Sequence, residues 1–294
     1  MKPGWWAERA RGGDPGRPNP RLLCLFRWLA APGIRLMHRP VLEGTENLPV
    51  DRPFLLVANH SAGLAIGEIF SFIACYTRRF GLERPLTGMA HPFGFHLWPF
   101  SYVLRGLGAI PSTYAAAEEA LRADIPVLIF PGGDHEACRP VWQASRVDLA
   151  GRRGFLRIAR KAQVPIVPMG IRGSHYTAPI LWRSRLVMPW LAVVPVVFGV
   201  KRFPLTLLAV IGVVLLVVFA QPALGWPLTI LLSWLWVASP FPFLPWVPST
   251  IRMRIGKPIP PGELFDASER DELQAAYDTV QGAIQDLVLG TRSW

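Results

Sequence analysis

The chain has few cysteines and few lysines, and each scarcity narrows the class of protein. The three cysteines, Cys24, Cys75 and Cys138, are far apart and odd in number, which argues against a disulfide framework and against a Cys-x-x-Cys metal or redox site. A reducing, cytosolic environment is the simplest interpretation. Residues 1–20 lack the apolar stretch of a signal peptide, so we expect a basic leader rich in proline and glycine there.

The charge of the chain is strongly one-sided, with a formal net charge of +11 carried almost entirely by arginine. Such a chain is expected to prefer an anionic surface, either nucleic acid or anionic lipid. The sequence has no zinc-finger spacing, no aromatic RNA-binding run and no basic-region helix, whereas its apolar stretches favour lipid. We therefore expect a lipid bilayer and no nucleic acid among its partners, with part of the charge serving solubility alone.

Residues 203–251 lack charged side chains altogether. Two long apolar runs, 205–220 and 228–244, lie within them and are separated by a turn-forming stretch; a shorter, proline-interrupted run covers 186–200. Sixteen residues of helix rise about 24 Å, less than the roughly 30 Å of a hydrocarbon core. A re-entrant hairpin and a two-helix span are both open, and a buried soluble hairpin is the alternative.

Topology limits how this apolar block crosses a membrane. If the strands before and after it belong to one domain, both ends lie on the same side, so the number of full crossings is zero or two. Lys201, Arg202, Arg252 and Arg254 flank the block, which by the positive-inside rule predicts that the catalytic domain is on the cytoplasmic side of a membrane.

The rest of the chain alternates between short apolar runs and helical patterns, which predicts a βαβ-type α/β domain. We expect four parts: a basic leader and amphipathic interfacial helix over 1–37, a core over 38–185, a membrane-embedded insertion over 186–250, and the last strand and terminal helix of the core over 251–294. The predicted strands are 40–43, 54–58, 126–130, 164–169 and 251–255, and the main predicted helices are 21–37, 67–76, 115–123, 152–163 and 268–287.

His60 stands directly after the buried run at 54–58, in Asn59-His60-Ser61. Ligand sites of α/β proteins form at the carboxyl ends of strands, and histidine suits general-base chemistry near neutral pH. Such a base needs a partner for its other ring nitrogen, and Glu68, at the expected start of the next helix, is the nearby downstream carboxylate. The alternative is a histidine bonded to the backbone of a loop.

A second group of polar residues follows the strand at 126–130. The glycines of Pro131-Gly132-Gly133 expose backbone N–H groups that can approach an anion or a developing oxyanion, and Asp134, Glu136 and Arg139 come next. Arg139 is suited to binding a phosphate. An ordinary tight turn is the alternative interpretation.

Four blocks of the sequence, taken together, resemble the glycerolipid acyltransferase family, which includes lysophosphatidate and glycerol-phosphate acyltransferases. The blocks are Asn59-His60-Ser61-Ala62-Gly63, 108–113, 130–134 and 164–169. The departures are specific: Ala65 stands where the family has aspartate, Gly-Gly-Asp-His replaces Glu-Gly-Thr-Arg after Pro131, and no arginine follows the second block. The pattern is similar to a divergent branch of transmembrane proteins that act on neutral glycerides.

This resemblance implies a mixed, mostly parallel sheet flanked by helices, and a membrane-bound O-acyltransferase. His60 would take the proton of an acceptor hydroxyl, with Glu68 fixing its tautomer, and the acyl group would come from acyl-CoA or acyl carrier protein. The implied substrate-binding residues are Asn59, Ser61, Gly132, Gly133, Asp134, Glu136 and Arg139. No metal or organic cofactor is implied. The acceptor, lysophosphatidate-like or a mono- or diacylglycerol, stays open, and the alternative is a catalytically silent lipid-binding scaffold with the same fold.

Overall fold

A computed structural model provides the structure of the chain. It describes residues 15–60, 67–96, 98–187, 202–265 and 271–290, apart from the side chain of Phe93. Ser61, Ala65, most of the apolar run at 186–200 and the leader up to residue 14 lie outside these ranges.

A seven-stranded mixed sheet forms the centre of the fold, in the order β1-β9-β6-β2-β5-β3-β4. Five neighbouring strands run parallel, while β9 is antiparallel to β6 and parallel to β1. This confirms the mixed, mostly parallel sheet. A separate antiparallel pair is formed by β7 and β8. The strands are β1 Val41–Glu43, β2 Leu55–Ala58, β3 Thr87–Ala90, β4 Ala109–Pro111, β5 Val127–Ile129, β6 Ile166–Arg172, β7 Ile180–Ser184, β8 Phe203–Thr206 and β9 Arg252–Ile255.

Helices cover both faces of this sheet. The helices are α1 Pro20–His38, α2 Gly67–Phe80, α3 Phe100–Gly106, α4 Tyr114–Arg122, α5 Gly133–Ala137, α6 Gly154–Ala162, α7 Leu207–Leu215, α8 Gln221–Ala238, α9 Pro261–Leu264 and α10 Glu272–Gly290. The sequence predicts the terminal helix over 268–287. Its predicted start lies among residues that the structure does not describe, and the observed helix ends at Gly290 rather than at residue 287.

Strand β2 occupies the middle of the sheet because all four of its side chains are apolar. Leu55 and Val57 belong to the core on one face, which α4, α6 and α10 cover, and Leu56 and Ala58 belong to the core on the other face, which α2 covers. Since successive side chains of a strand point to opposite faces, an uninterrupted apolar run is what a strand buried on both faces requires. The residues that follow β2 are thereby fixed at the carboxyl edge of the sheet.

Helix α1 begins at a cap formed by Asn19, whose Oδ1 accepts the N–H of Arg21 at 2.9 Å. It continues through Pro32 to His38. The helix is apolar on more than the face that packs: Phe26 is buried, while Trp28 and Leu29 are 78% and 73% exposed. Leu25 is 51% exposed as well, so the predicted amphipathic helix turns only part of its apolar surface to the core.

The apolar insertion is a helical hairpin. Leu207–Ala238 is long and apolar enough to cross a membrane, and its most apolar stretch has a mean hydropathy of 2.6 with only 6% of its residues buried. Gly225, with φ 72° and ψ 169°, breaks this stretch into two arms, and glycine adopts such a φ without steric penalty. The arms pack together where the indole N–H of Trp236 donates to the carbonyl of Ala209 at 3.2 Å.

The hairpin leaves and rejoins the core at the carboxyl edge of the parallel strands. The hydroxyl of Thr206 donates to the carbonyl of Pro242 at 2.8 Å, which ties the two ends of the hairpin together. The N–H of Trp246 donates to the carbonyl of Thr177, in the turn region after β6. Helix α1 ends at the same edge, where the N–H of Ile251 donates to the carbonyl of His38 at 2.8 Å.

Candidate active site

The imidazole of His60 and the carboxylate of Glu68 form a hydrogen-bonded pair between Nδ1 and Oε1. His60 follows the carboxyl end of β2, and Glu68 lies in the first turn of α2 with no exposed surface. The ring of Phe130 packs against the imidazole with 4.9 Å between centroids. Because Nδ1 is taken by Glu68, Nε2 is the ring nitrogen left for a substrate, which is the arrangement that a general base requires.

Two opposing effects set the pKa of His60. Burial lowers the pKa, but the charge of Glu68, its hydrogen bond and the charge of Glu136 outweigh that effect, so the pKa is raised above its ordinary value. Glu68 therefore orients the ring and also increases its basicity.

Glu136 holds the backbone of His60 in place. Its Oε2 accepts the N–H of His60 at 2.9 Å, and its Oε1 accepts the N–H of Asp148 at 3.0 Å. The carboxylate is fully buried, and burial raises its pKa against the opposing charge of Arg139. Gly132 leaves the room for it, since a Cβ at that position would stand 2.3 Å from Oε2.

Asn59 joins the ends of two neighbouring strands. Its side-chain amide donates to the carbonyl of Ile171 at 2.9 Å, and its Oδ1 accepts the N–H of Ile171 at 2.7 Å. The side chain is fully buried, so it extends the β2–β6 pairing by one step. Asn59 thus positions His60, and both of these contacts are to protein backbone rather than to an open substrate site.

Asp134 and Gly133 have partners away from His60. Asp134 forms ion pairs with Arg152 at 3.0 Å and with Arg202 at 2.8 Å; burial opposes ionisation, but these arginines hold its pKa below the usual value. The N–H of Gly133 donates to the carbonyl of Phe130 at 3.2 Å. These two predicted substrate-binding residues therefore hold the turn together in the structure, and the Gly133 amide is already engaged.

Arg139 lies on the same side of the site as Glu136, and its Nη2 is 3.5 Å from Oε1 of that residue. His175, which sequence reasoning missed, lies in the turn after β6 and is 4% exposed. A position just past the carboxyl end of a strand next to β2 was the signal that could have identified it. Within the described residues, no group of three or more His, Cys, Asp or Glu side chains could hold a metal ion.

A comparison with known protein families relates the part of the chain that holds this dyad to acyltransferases. Residues 39–172 match the sequence model of the family described as Acyltransferase. The matched residues include strands β1 to β6 and both residues of the dyad, His60 and Glu68. The resemblance predicted from the four sequence blocks is confirmed by this match.

Two relatives illustrate where this chain stands among known proteins. It is 27% identical over 168 residues to an uncharacterized protein of Mycobacterium tuberculosis, covering 57% of this chain and 45% of the relative. It is 31% identical over 132 residues to the human DGAT1/2-independent enzyme synthesizing storage lipids, covering 45% of this chain and 39% of that enzyme. The chain thus matches less than half of the length of these relatives.

One solved structure shares the fold. It is the 1-acyl-sn-glycerophosphate (LPA) acyltransferase PlsC of Thermotoga maritima, with a TM-score of 0.51 and 18% identity over 97% of this chain and 88% of that one. At this identity the likeness concerns the fold alone, and it extends over nearly the whole chain.

Proposed function

We propose that the protein is a membrane-bound O-acyltransferase that moves a fatty acyl group from a thioester donor, acyl-CoA or acyl carrier protein, to a hydroxyl of a glycerolipid. The hydrogen-bonded pair of His60 and Glu68 carries the proposal. In this pair Glu68 is the acidic partner of the histidine, because Ala65 stands where the family has aspartate. The acyltransferase domain match supports the same reaction class.

In the proposed reaction, Nε2 of His60 takes the proton of the acceptor hydroxyl while Glu68 stabilises the resulting imidazolium. The acceptor oxygen attacks the thioester carbon, and the electron pair of the carbonyl moves onto its oxygen. Collapse of this intermediate breaks the carbon–sulfur bond. The departing thiolate then receives the proton from His60, so the enzyme returns to its starting state.

The charges around His60 favour an acceptor without a phosphate. Two fully buried carboxylates, Glu68 and Glu136, lie next to the imidazole, and Arg139 faces Glu136. A phosphate carries about −1.5 to −2 charges near neutral pH, and the two carboxylates next to the imidazole would repel it, although Arg146 and Arg183 lie near Arg139. A mono- or diacylglycerol hydroxyl fits this environment better, in keeping with the storage-lipid synthesis named for the human relative.

The exposed apolar surface supports binding to a bilayer. The hairpin arms of about 18 and 13 residues rise about 27 and 20 Å, which is short of a hydrocarbon core of roughly 30 Å. A hairpin that enters and returns on one side is therefore the proposed geometry. Because both the hairpin and α1 join the core at the edge that holds His60, an acceptor lipid has a short path from bilayer to base.

The test is acyl transfer by membranes or purified protein from labelled acyl-CoA to a panel of lysophosphatidate, monoacylglycerol and diacylglycerol. We expect labelled product with the neutral acceptors, and its loss in His60→Ala at unchanged protein level. Full turnover in His60→Ala would refute the base assignment. A panel that is silent with the unaltered protein, for acyl-CoA and acyl carrier protein alike, would instead favour the lipid-binding scaffold.

A further inference from the structure

Two buried polar side chains beside the dyad have nitrogens without hydrogen-bond partners. Arg139 is 1% exposed and His175 is 4% exposed. Within the described part of the chain, none of the three guanidinium nitrogens of Arg139 and neither ring nitrogen of His175 makes a hydrogen bond. Buried polar groups in native proteins are nearly always paired, so five such nitrogens in one region indicate a missing partner.

The position of this pair ties it to the reacting histidine. Arg139 contacts the same carboxylate that accepts the backbone N–H of His60, through Oε1 at 3.5 Å and Oε2 at 2.9 Å respectively. His175 follows β6, the strand paired with β2. The two strand ends are further joined by the hydrogen bonds between Asn59 and Ile171, four residues before His175.

The protonation states of the pair define which ligand it accepts. Burial, together with the nearby charges of Arg139 and His60, lowers the pKa of His175 to about 3, so its imidazole is neutral and offers one N–H. Arg139 adds a fixed cation with several N–H donors. The pair is thus a donor set with a single positive charge, opposite the two carboxylates of the site.

An oxygen that develops a single negative charge only during the reaction matches this donor set. As His60 becomes an imidazolium, the carbonyl oxygen of the thioester becomes an oxyanion, so the net charge of the site does not change. A permanently charged phosphate would change it. Of the two glycine amides predicted as oxyanion donors, that of Gly133 already donates to the carbonyl of Phe130, so a further donor is needed for this role.

We propose that Arg139 and His175 form the subsite for the thioester carbonyl oxygen of the acyl donor and for the oxyanion it becomes. The inference rests on the proposed acyl transfer. The carbon–oxygen double bond opens as the acceptor oxygen bonds to carbon, and the two side chains donate hydrogen bonds to the oxyanion. The double bond re-forms as the thiolate leaves, and neither side chain changes its protonation state.

Turnover by full-length protein in detergent or vesicles tests this assignment with His175→Phe and His175→Gln. The first removes the N–H donor, and the second keeps one. Loss of an oxyanion donor lowers kcat about 10²–10³-fold, so we expect a fall of this size in His175→Phe, a smaller rise in KM for the donor, and partial recovery of both in His175→Gln. Arg139→Lys should also lower kcat, whereas Arg122→Gln, an exposed arginine on α4, should not.

Binding of two non-reactive donor analogues separates a role at the carbonyl from a role in folding. In one analogue a methylene replaces the sulfur and the ketone is kept; in the other, S-alkyl-CoA, the carbonyl is absent. The unaltered protein should bind the ketone at least about tenfold more tightly, and His175→Phe should lose that preference at an unchanged melting temperature.

Two results would overturn the inference: a kcat of His175→Phe within threefold of the unaltered protein, or an unchanged preference for the ketone analogue. If His175→Phe does not fold, the same comparison in His175→Gln and Arg139→Lys decides, since each must weaken the preference. An active His60→Ala protein would instead overturn the proposed function, whatever the His175 variants do.

Discussion

The backbone N–H of His60 donates to Oε2 of Glu136 at 2.9 Å, across 76 positions of the chain. The other oxygen of the same carboxylate accepts the N–H of Asp148. Glu136 thus joins the loop after β2 to the segment after α5, and it does so with no exposed surface. The position of the proposed base depends on this carboxylate as much as on its ring partner.

Replacing Glu136 by alanine should both destabilise the protein and reduce its activity. Two buried N–H groups would lose their acceptor, at about 1–3 kcal/mol for each, and the His60 backbone would lose its support. We expect a lower free energy of unfolding in denaturant titration and a fall in kcat of at least tenfold. Glu119→Ala, an exposed glutamate on α4, is the control, and equal behaviour of the two variants would contradict the role of Glu136.

The sequence was sufficient to predict the pairing of His60 with Glu68. An apolar run long enough for a doubly buried strand places His60 at the carboxyl edge, and Glu68 opens the next helix. Contacts that depend on the order of the strands in the sheet could not be predicted from the sequence. His175 and His60 are 115 positions apart, and only the pairing of β6 with β2 brings their strand ends together.

Helical geometry explains why the polar residues predicted after β5 separate into two groups in the structure. Glu136 lies in α5, and the N–H of Arg139 donates to its carbonyl in the turn that follows the helix. This three-residue spacing places the two side chains on one side, so they lie together beside His60. Asp134 points away and meets Arg152 and Arg202. Sequence reasoning grouped all of them because it had no boundary for the five-residue helix α5.

The dependence of activity on pH should reveal the effect of Glu68 on His60. Only the neutral imidazole accepts a proton, so kcat/KM should rise with pH through the His60 pKa, which is raised above its ordinary value. In Glu68→Gln the charge that raises the pKa is lost while burial, which lowers it, remains. We therefore expect the acidic limb of the profile to move to lower pH.

The same substitution should lower the maximal rate, because the neutral amide stabilises an imidazolium less well than a carboxylate does. The measurement is kcat/KM across pH 5 to 9 with a neutral acceptor. A Glu68→Gln enzyme whose acidic limb stays in place would show that the limb belongs to another group.

Gly132 should tolerate no larger residue. A Cβ there would stand 2.3 Å from both Cγ and Oε2 of Glu136, so Gly132→Ala must displace the carboxylate that holds His60. We expect reduced kcat and a lower melting temperature. Gly282→Ala is the matched control, because its Cβ would meet nothing within 4 Å and it lies inside helix α10, where alanine is favoured over glycine by roughly 0.5–1 kcal/mol.

The apolar composition of residues 203–251 predicted a hairpin, and the structure places the break at Gly225. Composition alone did not indicate which edge of the sheet carries it. That follows from tertiary contacts, in which the chain after the hairpin donates to the carbonyl of Thr177 and then enters β9 antiparallel to β6. Both ends of the insertion therefore lie at the edge of the sheet that holds His60.

Charged residues on the hairpin should release the protein from membranes. Val218 and Ile230 are 55% and 62% exposed, one on each arm, and a charged side chain inside a bilayer costs roughly 2.5–3.5 kcal/mol. We expect the Val218→Asp, Ile230→Asp double variant to shift from the bound to the free fraction when it is sedimented with lipid vesicles.

Val50→Asp is the control for this experiment. Val50 is 84% exposed, yet it precedes β2 and so lies towards the opposite edge of the sheet, where the proposed orientation places water. Its replacement should leave vesicle binding unchanged. If Val50→Asp instead released the protein as fully as the double variant does, the bilayer would contact the edge of the sheet opposite His60. The proposed direct path of the acceptor lipid to His60 would then be wrong.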